Sequence, residues 1–256
     1  METELLADLI VMAKTIVVFT GAGVSTESGI PDFRSPGGIW SKYDPDEFTI
    51  QRFLTSPDAR RKQWKMLTDG SLTTEAKPND AHYAIAELNS LGKLDCVISQ
   101  NVDNLHQEAG VPDDKVLELH GNMRWAVCLT CHRRLPMREV LQMIQEGTAI
   151  PDCPHCHGIL KPDAVFFGEG LPQETLMEAT RRSQSCDLFI VIGSSLVVYP
   201  AAYMPMYARD AKAKLAIVNL SPTPLDRYAT VVIRRKAGEA MSEVMKNLRA
   251  KISPSG

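Results

Sequence analysis

Short runs of consecutive apolar residues, rather than alternating ones, recur along the chain at 15–20, 95–99, 188–192 and 215–220. Weaker runs stand at 116–119 and 231–233. A strand that is apolar at every position has both faces buried, as in a parallel sheet covered by helices. Apolar residues at helical spacing occupy 2–13, 79–91, 172–183, 200–211 and 237–251, with Pro172 and Pro200 where a helix start tolerates proline. Strands alternating with helices predict an α/β fold, a doubly wound parallel sheet.

Two stretches break that rhythm. Residues 28–43 are rich in Gly, Pro, Ser and Asp and read as a long mobile loop. From Cys128 to about residue 159, cysteines bracket a short helical pattern at 138–145, which predicts a small inserted module.

Composition narrows the function classes. The 256 residues carry a net charge of −3, with 44 % hydrophobic and 23 % charged residues, as in an ordinary soluble domain. A sequence-independent nucleic-acid binder needs a basic face that this balance does not suggest, so nucleic acid is not an expected partner. The longest apolar runs are too short to span a bilayer, so no membrane partner is expected either. Glu2, Glu4 and Asp8 interrupt the N-terminal apolar residues, unlike a secretory signal. The expected compartment is the cytoplasm.

Cys128-x2-Cys131 and Cys153-x2-Cys156, separated by 21 residues, form a four-thiolate pattern. In a chain without an export signal such pairs point to a closed, structural zinc site rather than disulfides. The neighbouring His132, His155 and His157 are expected to be exposed bystanders, and Cys96 and Cys186 stand alone beside apolar runs.

The run 15–20 ends in Gly21-Ala22-Gly23, a turn whose backbone can approach a pyrophosphate closely. The third glycine of a dinucleotide fingerprint is missing, since position 26 is Thr26, so an ordinary tight turn reads equally well from this motif alone. Gly193-Ser194-Ser195 and Asn219-Leu220-Ser221, each after an apolar run, shift the balance toward a nucleotide at the carboxyl edge of the sheet. Gln100-Asn101-Val102-Asp103 also follows a strand. Its amides and carboxylate suit ribose and carboxamide groups, or simply an N-cap. His120 ends the 116–119 run and is either a general base or a buried structural ring.

Taken in order, these residues resemble the sirtuin family of NAD-dependent protein-lysine deacylases. The resemblance rests on the stretch 21–34 (GAGVSTESGIPDFR), on 100–106 (QNVDNLH) and on Leu119-His120-Gly121-Asn122. It continues through the four cysteines, Val165-Phe166-Phe167-Gly168-Glu169, Gly193-Ser194-Ser195 and Val218-Asn219-Leu220, so that it spans about 15–236. It implies a single catalytic core over 1–256, made of a Rossmann-like large part (about 1–27, 79–122 and 164–256) and a small part (about 28–78 and 123–163).

The resemblance further implies that NAD is consumed as co-substrate. Gly21, Ala22, Gly23, Thr26, Asp32, Phe33 and Arg34 would meet its pyrophosphate and nicotinamide-ribose region, with 28–43 as the cofactor loop. Gln100, Asn101 and Asp103 would hold the ribose and nicotinamide side, and Gly193, Ser194, Ser195, Asn219, Leu220, Ser221 and Ala237 the adenosine half. Catalysis would fall to His120, as base on the ribose hydroxyls, with Asn101. The acyl-lysine protein substrate would enter as an extended strand against Val165, Phe167, Gly168, Glu169 and Val197. The expected products are nicotinamide, free lysine and O-acyl-ADP-ribose. The alternatives are protein ADP-ribosylation, which shares the NAD cleavage, and a preference for longer acyl chains. A dehydrogenase would show the full three-glycine fingerprint, and a zinc-ribbon binding module would leave 100–103 and His120 unexplained.

Two finer expectations follow. No Arg pair follows the 215–220 run to hold a 2′-phosphate, so NAD is expected over NADP. Residues 60–69 lack the Tyr-x-x-Arg pair of family members that prefer succinyl or malonyl groups. An apolar acyl pocket of Phe33, Trp64, Met66 or Leu67 and Phe167 is expected instead, favouring acetyl or longer linear acyl groups.

Overall fold

The structure is a computed structural model describing residues 1–33, 35–68 and 76–252. Its strands are β1 (Ile16–Thr20), β2 (Leu94–Ser99), β3 (Val116–Glu118), β4 (Gly121–Cys128), β5 (Arg134–Pro136), β6 (Leu160–Ala164), β7 (Leu188–Ile192), β8 (Lys214–Val218) and β9 (Val231–Ile233). Its helices are α1 (Glu2–Met12), α2 (Ile50–Thr55), α3 (Pro57–Thr68), α4 (Asp80–Ser90), α5 (Leu105–Glu108), α6 (Met137–Gln145), α7 (Gln173–Ser183), α8 (Met204–Asp210) and α9 (Ala237–Ile252).

Six strands form one parallel sheet in the order β3-β2-β1-β7-β8-β9, the doubly wound α/β arrangement expected. The consecutive apolar residues of its inner strands divide by alternation into two cores. Ile16, Val18, Ile190, Ile192, Ala216 and Val218 face one way, against Leu6 and Ile10 of α1, Ile85 of α4 and Met241 and Val244 of α9. Val17, Phe19, Phe189, Val191, Leu215 and Ile217 face the other, against Ala179 of α7 and Met204 and Ala208 of α8. Both faces exclude water, so neither needs polar residues, and that is why the strand pattern does not alternate.

A second, antiparallel sheet has the order β5-β4-β6. It packs with α6 and α3 in a third core containing Ala126, Leu160, Val140, Trp64 and Leu67 together with Cys128 and Cys153. Trp64 and Leu67 therefore belong to the cysteine-bearing module, and the expectation that they line an acyl pocket is corrected here.

Other boundaries also move. β8 stops at Val218, so Asn219 and Leu220 lie beyond the strand. The helix expected over 200–211 is a 3-10 turn at Ala201–Tyr203 followed by α8. The loop 28–43 carries its own 3-10 turn at Ile39–Ser41.

Candidate active site

In an open parallel sheet, ligands bind beyond the carboxyl ends of the strands where the strand order reverses. Here that point lies between β1 and β7, paired from Ile16↔Leu188 to Thr20↔Ile192, so the loops leaving them run side by side. Their glycines permit backbone-on-backbone contact. Gly23 N–H donates to the Gly193 carbonyl at 2.8 Å, and a Cβ on Gly23 would sit 2.8 Å from Gly193 backbone atoms. Gly193 has φ +66°, and a Cβ there would lie 2.2 Å from the Val24 nitrogen. A side chain at either position would fill the cradle, so the missing third glycine does not weaken the close approach.

Beside this cradle, Ser25 Oγ donates to Asp103 Oδ2 at 2.7 Å. Asn101 Nδ2 lies within hydrogen-bond reach of Ser25 Oγ (3.1 Å), Asp103 Oδ2 (3.2 Å) and the Gly21 carbonyl (3.3 Å). Asp103 Oδ1 also accepts from Leu105 N–H, so the carboxylate both opens α5 and serves the polar cluster. Neither reading of the 100–103 motif excludes the other. Ser194 Oγ donates to Gln100 Oε1 at 2.7 Å, joining the ends of β2 and β7. Thr26 Oγ1 donates to the Gly23 carbonyl.

His120 stands where the two sheets meet. Its carbonyl accepts from Val165 N–H at 2.8 Å, and the next residue, Gly121 (φ +77°), pairs with Ala164 of β6 so closely that a Cβ would lie 2.1 Å from the Asp163 carbonyl. His120 Nδ1 lies 2.8 Å from the Gln100 carbonyl. A carbonyl only accepts, so Nδ1 carries the proton and Nε2 the lone pair. Burial lowers the imidazole pKa from 6.5, partly offset by the Gln100 carbonyl, which keeps the ring neutral at pH 7. This is the protonation state of a base.

Two histidines behind the site are fully buried and neutral. His82 Nδ1 accepts from Asn79 N–H, its Nε2 lies 3.5 Å from Ser25 Oγ, and burial lowers its pKa to about 4. His106 Nε2 meets Thr20 Oγ1 at 2.9 Å, and burial lowers its pKa to about 3. Sequence reasoning passed over Ser25 and His82 as partners, because nothing local places residues 25, 82 and 103 together.

The loop 28–43 is held by aromatic contacts. Phe33, 40 % exposed, packs on Trp40 with ring centroids 5.2 Å apart, and Trp40 in turn meets Phe48 at 5.4 Å and Phe167 at 5.7 Å. Trp40 was missed; its only signal was a further aromatic, with Phe33 and Tyr43, in a Gly- and Pro-rich loop. The Asp32 carboxylate accepts from Ser35 N–H and Oγ, bracing the loop's own turn. Arg34 lies outside the described residues. Val165 N–H meets the His120 carbonyl, Gly168 takes φ +85°, Glu169 N–H donates to the Phe166 carbonyl, and Phe167 and Val197 are 47 % and 46 % exposed.

At the far end, Asn219 Nδ2 donates to the Ser221 carbonyl, Leu220 is exposed, and Ala237 opens α9. Arg234, one residue past β9, donates to the Asn219 and Ser221 carbonyls and pairs with Asp226. An arginine therefore does reach the end of β8, from the neighbouring strand, although Asp226 already neutralises it.

The four cysteine Sγ atoms lie within 4.8 Å of one another, with Cys128–Cys156 at 3.5 Å and Cys131–Cys153 at 3.8 Å. Sulfurs about 2.3 Å from one zinc would be about 3.8 Å apart, so the donor set fits a closed tetrahedral site. His132 and His157, both at φ 58°, turn the chain directly after each CxxC, and like His155 they are exposed. Cys96 and Cys186 are buried, and burial pushes both thiols up to about 12. Among the described residues no helix is long and apolar enough to cross a membrane.

The Sir2 family model matches residues 21–200. The chain is 45 % identical over 249 residues to NAD-dependent protein deacetylase 1 of Pyrobaculum aerophilum, covering 97 % of this chain and 95 % of that one. It is 46 % identical over 245 residues to NAD-dependent protein deacylase 2 of Archaeoglobus fulgidus, covering 95 % and 94 %. A solved structure described as Sir2 with a p53 peptide and NAD+ superposes with a TM-score of 0.87 at 39 % identity, covering 99 % of this chain and all of that one.

Proposed function

The chain belongs to the Sir2 family and is an NAD-dependent protein deacetylase, and we propose that His120 is its general base. It transfers the acyl group of acyl-lysine to ADP-ribose and releases nicotinamide. The observation that carries the role of His120 is its tautomer: the Gln100 carbonyl fixes the proton on Nδ1, so Nε2 is free to accept one.

Bound NAD supplies an activated ribose whose bond to nicotinamide is the one broken. The close-packed turn at Gly21, Ala22 and Gly23, with Thr26 and Gly193, suits the pyrophosphate, because only small residues leave backbone exposed there. Asp32, Phe33 and Arg34 would close over it. Gln100, Asn101 and Asp103 present amides and a carboxylate to ribose and carboxamide, braced by Ser25 and Ser194. Ser194, Ser195, Asn219, Leu220, Ser221 and Ala237 would take the adenosine end. His120 Nε2 would take a proton from a ribose hydroxyl, and Phe33, Trp40 and Phe167, which pack on one another, would exclude bulk water once the ligands are bound. Cys128, Cys131, Cys153 and Cys156 would hold one structural zinc, four ligands leaving no open position for chemistry.

The substrate would add as an extended strand at Gly168, Glu169 and Val197, with its acyl-lysine between Val165 and Phe167. Main-chain pairing of that kind permits loose sequence preference. A large part (about 1–27, 79–122 and 164–256) and a small part (about 28–78 and 123–163) would then enclose the site. A cytoplasmic location suits four free thiolates that must stay reduced.

Mass spectrometry of products from NAD and an acetyl-lysine peptide tests the assignment. O-acetyl-ADP-ribose is expected, and ADP-ribosylated protein as the main product would replace it with transferase chemistry. NAD is expected over NADP, since Asp226 already occupies the arginine at the end of β8. Equal turnover with NADP would show that Arg234 is available to a 2′-phosphate.

A further inference from the structure

Lys161, on β6, is a buried cation, its side chain only 6 % exposed. A charge so removed from water must find partners. Its Nζ donates to the Ala164 carbonyl at 2.5 Å and to Glu169 Oε2 at 3.0 Å, and lies 4.4 Å from the centroid of the Phe166 ring. The same Glu169 oxygen accepts from Phe166 N–H at 2.6 Å. One ammonium group thus grips the chain at 164, 166 and 169, and the residues between these points are those proposed to receive acyl-lysine.

The segment is braced from its other side as well. Phe167 N–H donates to the Phe48 carbonyl and the Phe167 carbonyl accepts from Ile50 N–H, both at 3.0 Å. With its backbone groups committed there, Phe167 has one orientation only if residues 164–169 hold their curvature, and Lys161 supplies that hold. β6 is also the strand that pairs with β4 beside Cys128, through Cys128↔Leu160. The clamp therefore ties the peptide segment to the cysteine-bearing module.

We infer that Lys161 is a positioning residue for the acyl-lysine peptide, holding residues 164–169 in their binding shape through Glu169, Phe166 and the Ala164 carbonyl. The inference rests on the deacetylase reading. The ammonium group contacts the loop and not the reacting atoms, so its loss should weaken peptide binding while leaving chemistry and NAD binding in place.

The test is steady-state kinetics with NAD and an acetyl-lysine peptide on the zinc-loaded protein. Lys161→Met should raise the peptide KM about tenfold or more, with kcat and the NAD KM within about twofold, as loss of uniform ground-state binding requires. Lys161→Arg, which keeps the charge, should recover most of the peptide KM. Where Lys161→Met does not fold, Lys161→Gln keeps a donor for the Ala164 carbonyl without the charge and should show the same split. An unchanged peptide KM, or peptide and NAD KM rising together with loss of zinc, would overturn the inference while leaving the deacetylase reading intact. Absence of turnover by the unmutated protein would instead overturn the reading itself.

Discussion

A single hydrogen bond decides what His120 can do. Because Nδ1 is tied to the Gln100 carbonyl, the ring offers Nε2 as base, and burial keeps it unprotonated at neutral pH. His120→Ala should lower kcat by about a hundredfold or more, the scale of general-base catalysis, while NAD binding measured by calorimetry is retained. The required form is the neutral one and its pKa lies below 6.5, so kcat should be flat at neutral pH and fall only on the acid side of 6.5. An acid limb above pH 7 would point to a different base. The charged side chains of α3 bear on acyl preference at the same scale. Arg60 Nη1 is spent on the Phe53 and Leu54 carbonyls, where it caps α2, and Arg61 pairs with Asp58 at the surface. Neither cation is available to a distal carboxylate, and burying that carboxylate unpaired costs several kcal/mol. Catalytic efficiency on succinyl-lysine should therefore fall well below that on acetyl-lysine in a side-by-side peptide assay. Equal values would reopen the question of Arg60.

Elements built from local apolar pattern were legible; those built from partners distant in sequence were not. Strands β1, β2 and β7 and helices α4, α7 and α9 lie within a few residues of where apolar periodicity predicts them, since two covered faces leave an uninterrupted signal. β4 to β6 were not predicted: they pair antiparallel across the cysteine-bearing insertion, β5 has only three residues, and the eight of β4 carry Gly121, Asn122 and Arg124 among their apolar positions, so no uninterrupted apolar run marks them. The motifs at the strand ends were legible because each carries its polar groups in a few adjacent residues. Ser25 to Asp103, Ser194 to Gln100 and Lys161 to Glu169 were not, being contacts across the fold. Trp64 shows the same limit. Its helical spacing announces a core residue, but not that the core belongs to the cysteine-bearing module. α3 and that module should accordingly unfold together. Cys153→Ser should lose zinc by metal analysis, and Trp64→Ala should cost about 3–5 kcal/mol in a denaturant titration, as for other buried aromatics. Wild-type protein with far less than one zinc per chain would contradict the first expectation. A Trp64 variant of unchanged stability would contradict the second.

Over the whole molecule, stability depends on keeping buried imidazoles neutral. His82 and His106 lie with ring centroids 5.0 Å apart behind the site, and among the described residues His106 Nδ1 has no hydrogen-bond partner. Their pKa values are lowered from 6.5 to about 4 and about 3, and that of His120 is lowered as well. Below pH 6.5 the unfolded chain takes up these protons and the folded chain does not. The stability present above pH 6.5 is therefore lost as pH falls toward the folded values. Carboxylates act at lower pH: Glu178, lowered from 4.5 to about 2 by hydrogen bonds from Arg181 and Arg182, contributes only as pH falls below its ordinary value. The interval from 6.5 to 4.5 thus belongs to the histidines and to the cysteine site, whose thiolates release zinc when protonated. The two are separable. His106→Phe removes one titrating ring from the core without touching a cysteine, so its urea midpoint should fall less steeply over this interval than that of the unmutated protein, even if the variant is less stable at pH 7. Parallel slopes in the two proteins would leave His106 without a share in the acid loss.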